Sequence, residues 1–109
     1  MANTLLQNKF NAEVIDSLAE IKRLNQSKKL NYTPTRFIQM LHKEHDNAFE
    51  LVERLVSKDI TTGLQELWRN KKLELSIEAI VIKPEYNGLF SVEIINTCKR
   101  KLKQLGYKN

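Results

Sequence analysis

Between positions 10 and 24 the large apolar residues fall at Phe10, Val14, Leu18 and Ile21, with Ile15 and Leu24 on the flanks. Spacings of three and four gather them on one face of an α-helix. That stripe has to be covered, and the rest of the chain supplies further short helices to cover it. Asn11 is placed to cap the start, and Glu13 lies in the first turn, where a carboxylate suits the helix dipole. Residues 1–9 read as a flexible N-terminal segment, and the polar residues 25–31 as a loop.

Thr33-Pro34 signals the second helix: a capping hydroxyl, then a proline whose missing N–H is not needed at the first helical position. Phe37, Ile38, Met40 and Leu41 form its inward arc, and it ends near His45. Asp46 or Asn47 opens a third helix with Ala48, Phe49, Val52, Leu55 and Val56 inward, and residues 57–61 break it. Thr62-Gly63-Leu64-Gln65 has the spacing of a capping box, opening a short fourth helix with Leu64, Leu67 and Trp68 inside. Leu73-Glu74-Leu75 alternates like a strand, but three residues without a partner strand make no sheet, so it reads as an extended link. Ser76 caps a fifth helix through Ile77, Ala79, Ile80 and Val81, although the β-branched run at 80–82 leaves strand open there. Residues 84–90 read as a turn, with Gly88 free to take a positive φ. Ser91 and Glu93 open the last helix, and Gly106 stands where a C-terminal glycine cap belongs. The expectation is an all-α fold, a compact single domain of five to six short helices over residues 10–109.

A chain of 109 residues has room for one core. No apolar run approaches the roughly 20 residues of a membrane span. Residues 1–9 lack a basic stretch followed by an apolar core, so no secretory leader is expected. The single cysteine, Cys98, excludes an internal disulfide and a cysteine-based zinc site. A reduced, cytoplasmic protein follows.

Charge is unevenly placed. Of the 18 basic residues five lie beyond Glu93, the last of the 13 acidic ones, so the net +5 is a C-terminal property. Lys99, Arg100, Lys101, Lys103 and Lys108 have no opposing carboxylate after them. A second run, residues 21–43, carries Lys22, Arg23, Lys28, Lys29, Arg36 and Lys43 without one Asp or Glu. Segments of this kind attract polyanions by long-range field and counterion release, although solvated lysines are also ordinary surface residues.

At about 100° per residue from Lys99, the apolar Ile94, Ile95, Cys98, Leu102 and Leu105 occupy an arc of about 220° to 320°. Lys99, Arg100 and Lys103 fall between about 0° and 100°, and Lys101 near 200°. Cations at a helix C-terminus favour the dipole, but five exceed what the dipole requires. On the second helix Arg36, Gln39 and Lys43 share the side away from Phe37 and Leu41. Arg and Gln suit guanine and adenine edges, and Thr33 and Thr35 suit phosphates. The preceding loop, at about seven residues, is longer than a helix-turn-helix allows, and an exposed polar face explains the same spacing.

Other candidates carry less. Trp68, followed by Arg69, Lys71 and Lys72, could stack on a base but is spaced for the core. His42 and His45 lie three apart, whereas zinc helices space their histidines four apart. Cys98, on the apolar face, reads as a small hydrophobe. Glu50 and Glu53 pair at three residues with no apolar cleft evident to raise a pKa, and the three glycines form no phosphate loop. No catalytic residue, metal or cofactor is expected.

Several segments together form a recognisable pattern: Leu18-Ala19-Glu20-Ile21-Lys22, Tyr32-Thr33-Pro34-Thr35-Arg36-Phe37-Ile38-Gln39-Met40, Leu67-Trp68, Leu73-Glu74-Leu75-Ser76-Ile77-Glu78-Ala79 and Lys83-Pro84-Glu85-Tyr86. The pattern resembles a family of small, functionally uncharacterised bacterial helical domains, found alone or attached to larger proteins, some of restriction or nuclease type. Residues 45–49 depart from it where a glycine-rich turn is usual. The resemblance implies a bacterial or phage cytoplasmic protein with an accessory role, and brings no catalytic residues. The leading expectation is a non-enzymatic domain binding nucleic acid through phosphate contacts of the last helix. The alternative is a protein-interaction module, holding an acidic partner surface or self-associating through Leu5, Leu6, Leu89 and Phe90, within a bacterial or phage conflict system.

Overall fold

The computed structural model describes residues 4–30, 33–57 and 64–107. Among these residues six α-helices follow one another: α1 Thr4–Gln26, α2 Thr35–Lys43, α3 Ala48–Ser57, α4 Leu64–Arg69, α5 Ile77–Val81 and α6 Val92–Gln104. Two 3₁₀ turns, Leu73–Leu75 and Pro84–Tyr86, punctuate the second half, and no strand occurs among the described residues. The all-α expectation is met, and the radius of gyration of 13.3 Å is that of one compact domain of this length.

Helix α1 is the long element, 23 residues and about 35 Å, and starts earlier than its central stripe suggests. Residues 4–9 are helical, not a flexible segment, because Leu6 extends the stripe one turn before Phe10 and packs on the core. Asn11 is therefore inside the helix and caps a different one. Its Oδ1 accepts the Phe49 N–H at 2.9 Å, while Asn47 Oδ1 accepts the Glu50 N–H at 3.3 Å. The start of α3 is thus capped twice, once from its own chain end and once across the fold.

Phe10 and Val14 carry α1 into a core shared by all six helices, with Phe37, Leu51, Ile80 and Leu102 among its members. A smaller cluster of Ile21, Leu24, Leu30 and Leu67 closes the far end of α1. Helix α5 is buried at all five positions, Glu78 included, and packs against α6, α1 and the preceding 3₁₀ turn. The run at 80–82 is helix through Val81, with Ile82 at its C-cap. Residues 73–75 are a 3₁₀ turn, not an extended link, and Ser17 Oγ donates to the Leu75 carbonyl at 2.5 Å. Ser76 and Ser91 cap as expected, their Oγ atoms accepting from Ala79 and Ile94 N–H at 3.1 and 3.2 Å. At α2 the cap moves one residue on: Pro34 occupies it and no side chain bonds there. Thr62 and Gly63 lie outside the described residues.

Leu89 and Phe90 are not surface candidates. The turn that holds them folds inward, so that Phe90 packs on Phe10, 4.9 Å between ring centroids, and on Phe49 at 5.4 Å. Gly88 does not use a positive φ, since the segment turns through right-handed conformations such as Asn87 at φ −55°.

Four helices end in the same way. At α1 the Lys29 N–H reaches back to the Leu24 carbonyl (2.9 Å), at α2 Asp46 to Leu41 (2.9 Å), at α4 Lys72 to Leu67 (2.8 Å) and at α6 Tyr107 to Leu102 (3.0 Å). This six-to-one closure requires a left-handed residue just before the donor. Gly106 supplies it at φ +81°, but Lys28, His45 and Lys71 stand at +62°, +55° and +59°. A side chain in that region carries a steric penalty that glycine does not. Replacing Lys28 or Lys71 by Gly is expected to stabilise the fold by about 0.5–1 kcal/mol, and Gly106→Ala to destabilise it by about 1 kcal/mol. A Cβ at Gly106 would meet nothing within 4 Å, so that loss reads the backbone alone. Urea midpoints at unchanged slope check all three.

Candidate functional site

Ser91 fixes where α6 begins, and burial of Ile94, Ile95, Cys98 and Leu102 fixes its rotation. Lys99, Arg100 and Lys103 are thereby turned to solvent, all exposed, and none forms an ion pair among the described residues. Lys101 stands apart. It is half-buried, engaged within the fold, and near enough to Cys98 for its charge to act on the thiol. Burial pushes that thiol up to about 12, with the charge of buried Glu78 adding and Lys101 opposing. Three of the four expected α6 cations therefore make one open face, and the fourth belongs partly to the interior.

On α2, Gln39 and Lys43 are exposed one turn apart, and Arg36 lies in the first turn. Thr33 and Thr35 are exposed at the helix start. Helices α2 and α6 both rest on α3, and among the described residues no hydrogen bond or ion pair joins the two polar faces. Trp68 is 47% exposed rather than in the core, because α4 is only six residues long and turns Leu64 and Leu67 inward instead. Beside it Arg69 pairs with Glu66 at 3.1 Å.

The titratable clusters separate. His42 Nδ1 lies 3.2 Å from Asp46 Oδ1, while His45 occupies the left-handed helix end. Partial burial, then the Glu50 charge, pushes the Glu53 carboxyl up, a perturbation that the sequence spacing gave no reason to expect. Glu53 has company within the fold.

A groove of about 720 Å³ runs between α1 and α2, with Ile15, Leu18, Pro34, Ile38 and Leu41 along its floor and walls. Ile15 is 42% exposed within it. No residue type or motif marked this groove in advance; the signal was Ile15, an apolar residue at the edge of the α1 stripe.

In the Lys83-Pro84-Glu85-Tyr86 segment the first three residues are exposed and the fourth turns inward. Its 3₁₀ turn delivers Tyr86, fully buried, edge-on to Phe10 at 5.3 Å, with its hydroxyl donating to the Glu13 carboxylate. Lys83 Nζ reaches the other Glu13 oxygen at 2.6 Å, and Lys9 pairs with Glu85. Partial burial pushes the Glu13 carboxyl up, but hydrogen bonds from Lys83 and Tyr86 and the Lys83 and Lys9 charges outweigh it, holding the group below its usual range. This segment is a clasp between α1 and the approach to α6.

Comparison with protein-family models, with curated proteins and with solved structures finds no match. No helix among the described residues is long and apolar enough to cross a membrane.

Because Glu13 titrates lower folded than unfolded, its stabilisation is present above the unfolded pKa, near 4, and fades as pH falls through the folded value. The stability gap between the native chain and Glu13→Gln should be full at pH 7 and shrink markedly by pH 3, in urea unfolding. Tyr86→Phe, which removes a hydrogen bond to a charged acceptor, should cost about 1.5–3 kcal/mol at pH 7.

Proposed function

We propose that this chain is a non-enzymatic accessory domain of the bacterial or phage cytoplasm that binds nucleic acid, chiefly through phosphate contacts of α6. One observation carries the reading: Lys99, Arg100 and Lys103 share the solvent side of one helix, unpaired among the described residues, beyond the last carboxylate of the chain. Packing of the opposite face leaves them on a rigid rod rather than a loose tail, so their spacing is held. Fixed cations presented to solvent displace counterions from a phosphate backbone without reading bases. Gln39 and Lys43 on α2, with Arg36 in its first turn, extend the reading to a second contact. Trp68 adds an exposed ring near Arg69, Lys71 and Lys72, the combination that stacks unpaired bases.

Anisotropy titration of labelled duplex and single-stranded oligonucleotides across a salt series tests this. Three phosphate contacts give log K a slope of about −2.7 against log salt on duplex. The variant with Lys99, Arg100 and Lys103 changed to Gln should lose most of the affinity and most of the slope. Absence of binding at low salt would refute the proposal.

A further inference from the structure

Helices α1 and α4 stop at the same end of the molecule. Leu24 in the last turn of α1 and Leu30 beyond it share one buried cluster with Leu67 of α4, and Leu75 packs against it. Each helix closes in the same way, the Lys29 N–H on the Leu24 carbonyl and the Lys72 N–H on the Leu67 carbonyl. The cluster that joins Leu24 to Leu67 therefore brings together two lysine pairs, Lys28-Lys29 and Lys71-Lys72. Lys72 is near enough to Glu20 on α1 for its charge to act on that carboxylate.

Lys28, Lys29 and Lys71 are exposed and Lys72 half-buried, and none of them forms an ion pair among the described residues. Of the neighbouring carboxylates, Glu20 is held by Arg23 and Glu66 by Arg69, which leaves Glu74. Two helix C-termini together carry about one negative charge, so Glu74 and the dipoles offset only about half of the four lysines.

Trp68 stands beside them. Its carbonyl accepts the Lys71 N–H at 3.0 Å, which sets ring and lysine one turn apart on the same helix end. The indole is 47% exposed, whereas Leu24, Leu30 and Leu67 around it are buried. A single open ring is too little apolar surface to anchor this end in a membrane. A half-held aromatic face among unpaired cations matches a single strand, whose unpaired bases stack on the ring while its phosphates meet the lysines.

From this juxtaposition we infer that the end formed by α1 and α4 is a single-strand site, with a base stacked on Trp68 and the flanking phosphates on Lys28, Lys29, Lys71 and Lys72. It shares no residue with the α6 face, and it extends the nucleic-acid reading to a second surface that stands or falls separately.

Trp68 is the only tryptophan in the chain, so its own fluorescence reads the site. A twelve-nucleotide oligothymidylate should quench that emission. Four phosphate contacts on a single strand give log K from quenching a slope of about −2.8 against log salt. An abasic strand of equal length, and a duplex, should quench little. Changing Lys28, Lys29, Lys71 and Lys72 to Gln should remove most of the affinity and slope, while the Lys99, Arg100, Lys103 to Gln variant should keep the native quenching curve. In that α6 variant, with anisotropy as the readout, Trp68→Leu should weaken binding of the oligothymidylate about fivefold or more, and Trp68→Phe much less. Thermal unfolding confirms that each variant folds. Equal quenching by the abasic strand would reduce the effect to bulk charge and overturn the inference, as would indifference to Trp68→Leu. A blue shift on phosphatidylserine vesicles without quenching by the oligonucleotide would overturn it in favour of a membrane surface. Duplex binding through α6 with no quenching by single strand would overturn this site alone, and quenching without duplex binding would uphold it while the α6 reading fell.

Discussion

Phe10 has no exposed surface, and the positions of several distant segments are defined by what touches it. Tyr86 and Phe90 meet its ring edge-on, which fixes both ends of a five-residue turn that would otherwise be free to swing. One turn along α1, Glu13 takes the Tyr86 hydroxyl and the Lys83 ammonium, adding a directional constraint to the apolar one. Phe90 then carries the contact on to Phe49 in α3. Burial supplies most of the energy, and the carboxylate supplies orientation: a tyrosine whose only polar atom must find one acceptor can adopt few poses. Helix α6 starts one residue after Phe90's neighbour Ser91, so the angle at which its cations face solvent descends from this cluster.

What the sequence revealed divides along a physical line. Features set by neighbours in the chain were legible. Ser76 and Ser91 cap because a hydroxyl there can reach an N–H three residues on, and Gly106 ends α6 because it alone among nearby residues takes a positive φ without strain. The rotation of α6, and with it the exposure of Lys99, Arg100 and Lys103, followed from apolar spacing. Lys101, near the edge of the apolar arc, accordingly proved half-buried.

Features set across the fold were not. Asn11 resembles a local cap and instead caps α3, a partnership 38 residues away that no window contains. Leu89 and Phe90 looked exposed because they lie in a turn, and only the closure of that turn onto Phe10 buries them. The state of residues 80–82 stayed open because α5 is enclosed on every side, and an enclosed helix has no polar face to give it a period. Trp68 had core spacing but sits at the edge of a helix too short to bury three sides. The groove escaped notice for a related reason: it is defined by the separation of two helices, not by residues within either.

Cys98 has a consequence beyond packing. It is the only thiol in the chain, is wholly covered, and lies where α5 meets α6 with its ionisation suppressed. An alkylating reagent reaches it only in molecules whose last helix has lifted away. The rate of its modification is therefore a clock for opening of the interior, readable by mass without any introduced label, and it runs on the same helix that presents the cations.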